Sequence, residues 1–199
     1  MNLIQKLLIG GGIAGLSLLP MKSFSQQTNT SNNQKTKYGQ TYGKFGLSTL
    51  WSNDSYIKDG FGPMLGFETE VGKEIVREIK GGLSVGNYWG KGTGNYEDEK
   101  CKIFDATATV MWAPEDKEGD NLFYIKAGFK YRSQTISGKD WSDEIDGIGL
   151  DVGFGGNITL GKGWKIYSEM EYDQTKGEID NEEYSIGGTT WTLGLSRFF

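Results

Sequence analysis

Between Tyr38 and Phe199 apolar and polar residues alternate with a period of two, and the alternation restarts eight times. That period predicts strands whose two faces differ chemically. One face carries Phe45, Leu47, Thr49 and Trp51 in the first segment and Leu65, Phe67, Thr69 and Val71 in the second. It continues with Gly81, Leu83, Val85 and Trp89, then Phe104, Ala106, Ala108, Val110 and Trp112, then Phe123, Ile125, Ala127, Phe129 and Tyr131. Ile148, Leu150, Val152 and Phe154 follow, then Trp164, Ile166, Ser168, Met170 and Tyr172, and finally Trp191, Leu193, Leu195 and Phe199. Arg197 is the one charge on this face and Asn87 a polar interruption. The opposite face carries Lys44, Glu68, Glu70, Asp105, Lys126, Lys130, Asp151, Lys165, Glu169 and Glu171, together with most of the strand glycines.

The connections alternate too. Long polar segments follow the odd strands, at 52–63, 90–100, 133–147 and 173–187, and shorter ones follow the even strands, at 74–78, 113–121 and 159–163. No helix is expected in this region. An even number of strands with short turns at one rim and longer loops at the other predicts an all-β fold, an eight-stranded antiparallel up-and-down transmembrane β-barrel. Strands of about ten residues at roughly 3.3 Å each, tilted about 40°, rise about 25 Å, the height of the apolar band of such barrels.

Alternation alone leaves open which face is inside. A soluble periplasmic barrel of lipocalin type would turn the apolar face inward around a ligand. The aromatics favour lipid: Trp51, Trp89, Tyr131 and Tyr172 end the stripes at the long-loop rim, and Trp112, Phe123, Trp164 and Phe199 end them at the other, forming two girdles at headgroup depth. Glycine agrees, because the lumen of eight strands has room only for side chains and glycine there makes space for long ones.

The N-terminus reads as an export signal. Lys6 precedes an apolar stretch from Leu7 to Leu19, and Ser23-Phe24-Ser25 supplies a small-x-small cleavage site, so 1–25 is expected to be a signal peptide. The stretch is shorter than the roughly 20 residues a spanning helix needs. Gly10-Gly11-Gly12-Ile13-Ala14-Gly15 matches the dinucleotide fingerprint but lies in this apolar stretch with no acid before Asp54, so no nucleotide is expected. The segment 26–37 is polar and aperiodic, a flexible leader, and 38–199 is the barrel.

Charge and composition narrow the chemistry. Removing Lys6 and Lys22 takes the net charge from −5 to −7, which disfavours nucleic acid. With no histidine, Ser-His-Asp and Cys-His catalysis and His-ligated zinc are excluded, and the single cysteine, Cys101, allows no disulfide within the chain. The same-face pairs Glu68/Glu70 and Glu169/Glu171 have the residue type of an acid/base pair, but a narrow lumen offers a polysaccharide no cleft. A lumen charge network of Glu68, Glu70, Asp105, Lys126, Lys130, Asp151, Glu169 and Glu171 is expected instead, structural or pore-lining. Near mid-height six carboxylates face Lys126 and Lys130, which leaves the network acidic. The loops around Asp140–Asp146 and Glu178–Glu183 are acidic without the calcium-loop pattern, which suits a solvated surface, with divalent cations at the lipopolysaccharide layer as the alternative. No catalytic residue, cofactor or metal is assigned.

Trp191-Thr-Leu-Gly-Leu-Ser-Arg-Phe-Phe199 resembles the terminal strand signal of small outer-membrane β-barrel proteins, the porin-like group with OmpA- and OmpX-type barrels; Arg197 departs from that signal. The resemblance is one of architecture and covers Tyr38 to Phe199. It implies a bacterial outer-membrane location with both termini periplasmic, lipid and lipopolysaccharide as surroundings, and the outer-membrane insertion machinery as reader of the last strand. The function expected is a structural or surface-interaction barrel, not an enzyme, with a surface partner the residues do not name. The alternatives are a narrow cation-preferring porin for small solutes and the soluble lipocalin-like carrier.

Overall fold

The structure, a computed structural model, describes residues 39–76, 78–114, 122–179 and 182–199. The expected signal peptide and leader lie outside these residues.

The strands are β1 (Thr41–Ser52), β2 (Met64–Val76), β3 (Ile79–Lys91), β4 (Lys100–Trp112), β5 (Tyr124–Ser137), β6 (Ser142–Gly161), β7 (Trp164–Ile179), β8 (Glu182–Ser185) and β9 (Gly188–Phe198). Each of β1 to β7 pairs antiparallel with its neighbour in sequence. β9 closes the cylinder, pairing with β1 from Tyr42↔Phe198 to Ser52↔Gly188 and with β7 from Trp164↔Arg197 to Asp173↔Gly188. β8 pairs only with β7 and stays outside the closed sheet, so the barrel itself has eight strands.

The charged face points inward and the apolar face outward, the reverse of a lipocalin-type carrier. Leu47, Leu65, Leu83, Phe129 and Ile148 are each about two-thirds exposed or more, while Glu70, Lys126, Lys130 and Asp151 are buried. The aromatic girdles stand where the alternation puts them, with Trp51 and Trp89 at one rim and Trp112 and Trp164 at the other. Arg197 lies at the short-turn rim, its guanidinium 5.2 Å from the Trp164 ring centroid and 5.6 Å from that of Phe199. A cation stacked on aromatics at headgroup depth is stable there, which accounts for its place in the terminal strand. The β6–β7 turn is two residues long, with Lys162 at φ 52 and Gly163 at φ 79. Both central residues thus have the positive φ that tight hairpins require.

Three expectations about the long-loop end need correction. The segment 52–63 is not an open loop: Ser55–Phe61 forms a helix, α1, capped by Asp54, whose carboxylate accepts from the Ile57 N–H at 3.1 Å. The segments 133–147 and 173–187 are largely strand, because β5 and β6 stay paired to Ser137↔Ser142 and β7 pairs on with β8 to Ile179↔Glu182. Period-two alternation of small polar residues with Ile136 and Ile145 sustains the first of these ladders beyond the apolar band.

Candidate functional site: the barrel lumen

The inward side chains form three layers. At the short-turn end the Phe198 ring packs on Tyr42 with centroids 5.9 Å apart, and the ammonium groups of Lys80 and Lys165 lie 4.9 and 5.3 Å from its centre. Met111, Ala113 and Tyr124 pack together beside this layer.

The middle layer is ionic. Residues i and i+2 share a strand face, so β5 sends Lys126, Lys130 and Arg132 inward, and β7 sends Glu169, Glu171 and Asp173 to meet them. Lys44 from β1 sits between Glu70 and Glu169, 3.0 Å from each. Lys126 contacts Glu169 and Glu171 and approaches Glu70 at 4.0 Å. Lys130 reaches Asp151 at 2.9 Å, Glu171 at 3.1 Å, Asp173 at 3.5 Å and Asp105 at 3.9 Å. Arg132 donates two bonds of 2.7 Å to the Asp105 carboxylate, one of 3.0 Å to Asp173 and one of 2.7 Å to the Ile186 carbonyl. The Tyr42 and Tyr124 hydroxyls donate to Glu70 and Glu169. Glu68 accepts from the Thr192 hydroxyl of β9 at 3.3 Å.

Inward glycines make room for this. A Cβ on Gly72 would lie 2.3 Å from the Tyr42 ring, one on Gly155 2.6 Å from the Tyr124 hydroxyl, and one on Gly46 2.6 Å from the Tyr167 hydroxyl. Each tyrosine lies over a missing side chain, and that lets rings and long charged chains share so narrow a cylinder.

The third layer, under the long loops, is apolar. Leu50, Ile57, Phe61, Met64, Tyr88, Cys101 and Ile103 form one buried cluster, with Tyr56 and Ile136 against it. α1 provides Ile57 and Phe61, one turn apart on its inner face.

All eight residues expected in the charge network line the lumen, and all are buried: Glu68, Glu70, Asp105, Lys126, Lys130, Asp151, Glu169 and Glu171. Lys44 and Lys165, already expected on the charged face, are buried with them, Lys165 lower down; the structure adds Arg132 and Asp173 to the layer and Lys80 below it. The expected excess of six carboxylates over two lysines therefore shrinks: among the described buried residues, Glu68, Glu70, Asp105, Asp151, Glu169, Glu171 and Asp173 face Lys44, Lys80, Lys126, Lys130, Arg132 and Lys165, seven against six. Arg132 and Asp173 were legible by extending the alternation one step past Lys130 and Glu171. The apolar plug had a weaker signal, the Asp54 cap three residues ahead of Ile57 and the i, i+4 pair Ile57 and Phe61.

The acids of this layer are already shared among its bases. Glu68, Glu169 and Glu171 bring one oxygen each within 4.8 Å of one another, the spacing of a cation site. The Lys126 ammonium already contacts two of the three. Glu169 is likewise held by two lysines and a tyrosine, so it is a poor free base.

No protein-family model and no characterised relative matches the sequence. Solved structures do. The chain is similar to Ail, the attachment invasion locus protein of Yersinia pestis, at 17% identity and a TM-score of 0.56, covering 81% of this chain and 99% of that one. It is similar to OprG of Pseudomonas aeruginosa at 12% identity and a TM-score of 0.59, covering 81% and 96%. Neisserial surface protein A matches at 12% identity and a TM-score of 0.57, covering 80% and 97%. Ail has also been solved with the heparin analogue sucrose octasulfate. At these identities the likeness is one of fold, and the fold is that of small eight-stranded outer-membrane β-barrels.

Proposed function

We propose that this chain is an integral outer-membrane barrel with a plugged lumen, serving at the cell surface through its long-loop end rather than conducting solutes or catalysing a reaction. Its N- and C-termini then lie on the periplasmic side, lipid and lipopolysaccharide surround the apolar band, and the insertion machinery reads β9. The observation that carries this is the apolar layer above the ionic one. A conducting pore needs a continuous wet path, and here Ile57 of α1 is fully buried in the mouth together with Leu50 and Met64. Conduction would require α1 to leave its seat. The second reading, a cation-preferring pore, draws on the seven carboxylates below the plug. The sulfated ligand found with Ail is a poor fit here, because the rim carries Glu97, Asp98, Glu99, Asp140, Asp143 and Glu144.

Single-channel recording in planar bilayers tests the plug. The wild-type protein is expected to be silent, and Ile57→Asp with Phe61→Ala, which wets the mouth, to open a small cation-selective conductance. Steady conductance from the wild-type chain would favour the pore instead.

A further inference from the structure

Beside the apolar layer at the long-loop end lies a cleft of about 580 Å³ lined by α1, the β5–β6 hairpin and β8. Its charged groups are all carboxylates, those of Asp54, Asp143 and Glu144. At its floor Gln134 is 2% exposed, and the amide oxygen of that side chain has no hydrogen-bond partner. Asp143 and Glu144 line one side, and Glu144 accepts from the Ser133 hydroxyl at 3.0 Å. The rings of Tyr56, Trp141 and Tyr184 complete the lining. The Tyr56 hydroxyl is committed to Glu99 at 2.6 Å. Burial and then that carboxylate push its phenol up to about 12, so Tyr56 offers the cleft a neutral ring.

An orphaned buried acceptor costs free energy that a donor from a ligand would recover. Carboxylates beside it select a positive donor, and aromatic faces around it stabilise that charge further. The surroundings agree: Trp141 also borders a neighbouring cleft where Glu97, Asp98, Glu99 and Asp140 outnumber Lys139. We infer that the cleft at the long-loop end is a binding site for a guanidinium or alkylammonium group, one that enters between Trp141 and Tyr184, donates to the Gln134 amide oxygen and pairs with Asp143. A polyamine and a basic side chain of a peptide share this chemistry. The inference builds on the proposal that this end is the working surface, and it names what that surface would hold.

The test uses the full chain refolded in zwitterionic micelles at 0.15 M salt, where diffuse charge is screened beyond about 8 Å. A fluorescent tri-arginine amide and spermidine are titrated separately. Saturable binding of either is expected, the peptide alone pointing to a basic chain and spermidine alone to a polyamine. Trp141 and Asp143 are exposed, so Trp141→Ala and Asp143→Asn leave the barrel folded, checked by its heat-modifiable gel mobility. Each is expected to weaken binding about tenfold, and Gln134→Leu similarly, while Asp98→Asn, exposed in the neighbouring cleft, changes it by less than about twofold. Equal losses from Asp98→Asn and Asp143→Asn would reduce the site to diffuse charge. Competition by calcium chloride at the same concentrations would make it a divalent-cation site. Either result overturns the inference, as does the absence of binding by a protein whose mobility shows a closed barrel. In all three cases the plugged-barrel proposal stands untouched.

Discussion

At the residue scale, the lumen is governed by long side chains laid over glycines and locked by opposite charge. Removing one partner of a buried pair leaves the other unpaired, and such losses are typically about 3–5 kcal/mol. Lys126 and Lys130 together contact Glu169, Glu171, Asp151 and Asp173. Replacing both with Ala is therefore expected to lower stability by several kcal/mol in a urea titration in detergent; a double variant as stable as wild type would mean water already screens the lumen. Glycine makes a sharper contrast. At Gly72 a Cβ would lie 2.3 Å from the Tyr42 ring, whereas at Gly43 it would meet the Phe199 ring at an ordinary 3.6 Å. Gly72→Ala is expected to cost about 1–3 kcal/mol, as overpacking does, and Gly43→Ala much less by the same measurement.

At the element scale, strands were legible because a two-sided surface writes its period into the sequence. The outward stripes of β1 to β7 and of β9 were readable as lipid-facing. Val152 and Phe154 stand about half exposed on the outer wall, midway along the outward run of β6 from Ile148 to Leu160. Arg at either site is expected to cost about 2–4 kcal/mol near mid-membrane, and Arg at Thr41, exposed at the start of β1, close to nothing. Equal tolerance at the three positions in bilayer folding would contradict the outward assignment. The expected loops misled for a physical reason. Polar residues such as those of 133–147 can pair as strands above the membrane without any apolar stripe, and a seven-residue helix like α1 carries too few apolar positions to set a period. Within the network the eight acids and bases named from the pattern were placed by parity alone, while Arg132, Asp173 and Tyr42 lay just beyond the strand ends that parity suggested, and Tyr124 and Tyr167 stood on the inward parity without a charge to mark them.

For the molecule as a whole, the chain's first and last strands meet only when the cylinder closes. Lys44 on β1 binds Glu169 on β7 across the intervening β9, a contact between residues 125 positions apart. Such a pair has no meaning in an open sheet, where both groups would be watered or stranded against lipid. It is therefore expected to form at the closing step or after it, late in folding. Losses at such positions fall on the rate of escape from the native state, not on the rate of reaching it. Lys44→Ala should accordingly insert and close as fast as wild type but unfold faster, seen as a steeper decay of the heat-resistant band at fixed temperature. Slower closure with unchanged unfolding would place the pair in the transition state instead. A surface barrel placed under repeated thermal or chemical stress thus depends on its ionic middle layer less for assembling than for lasting.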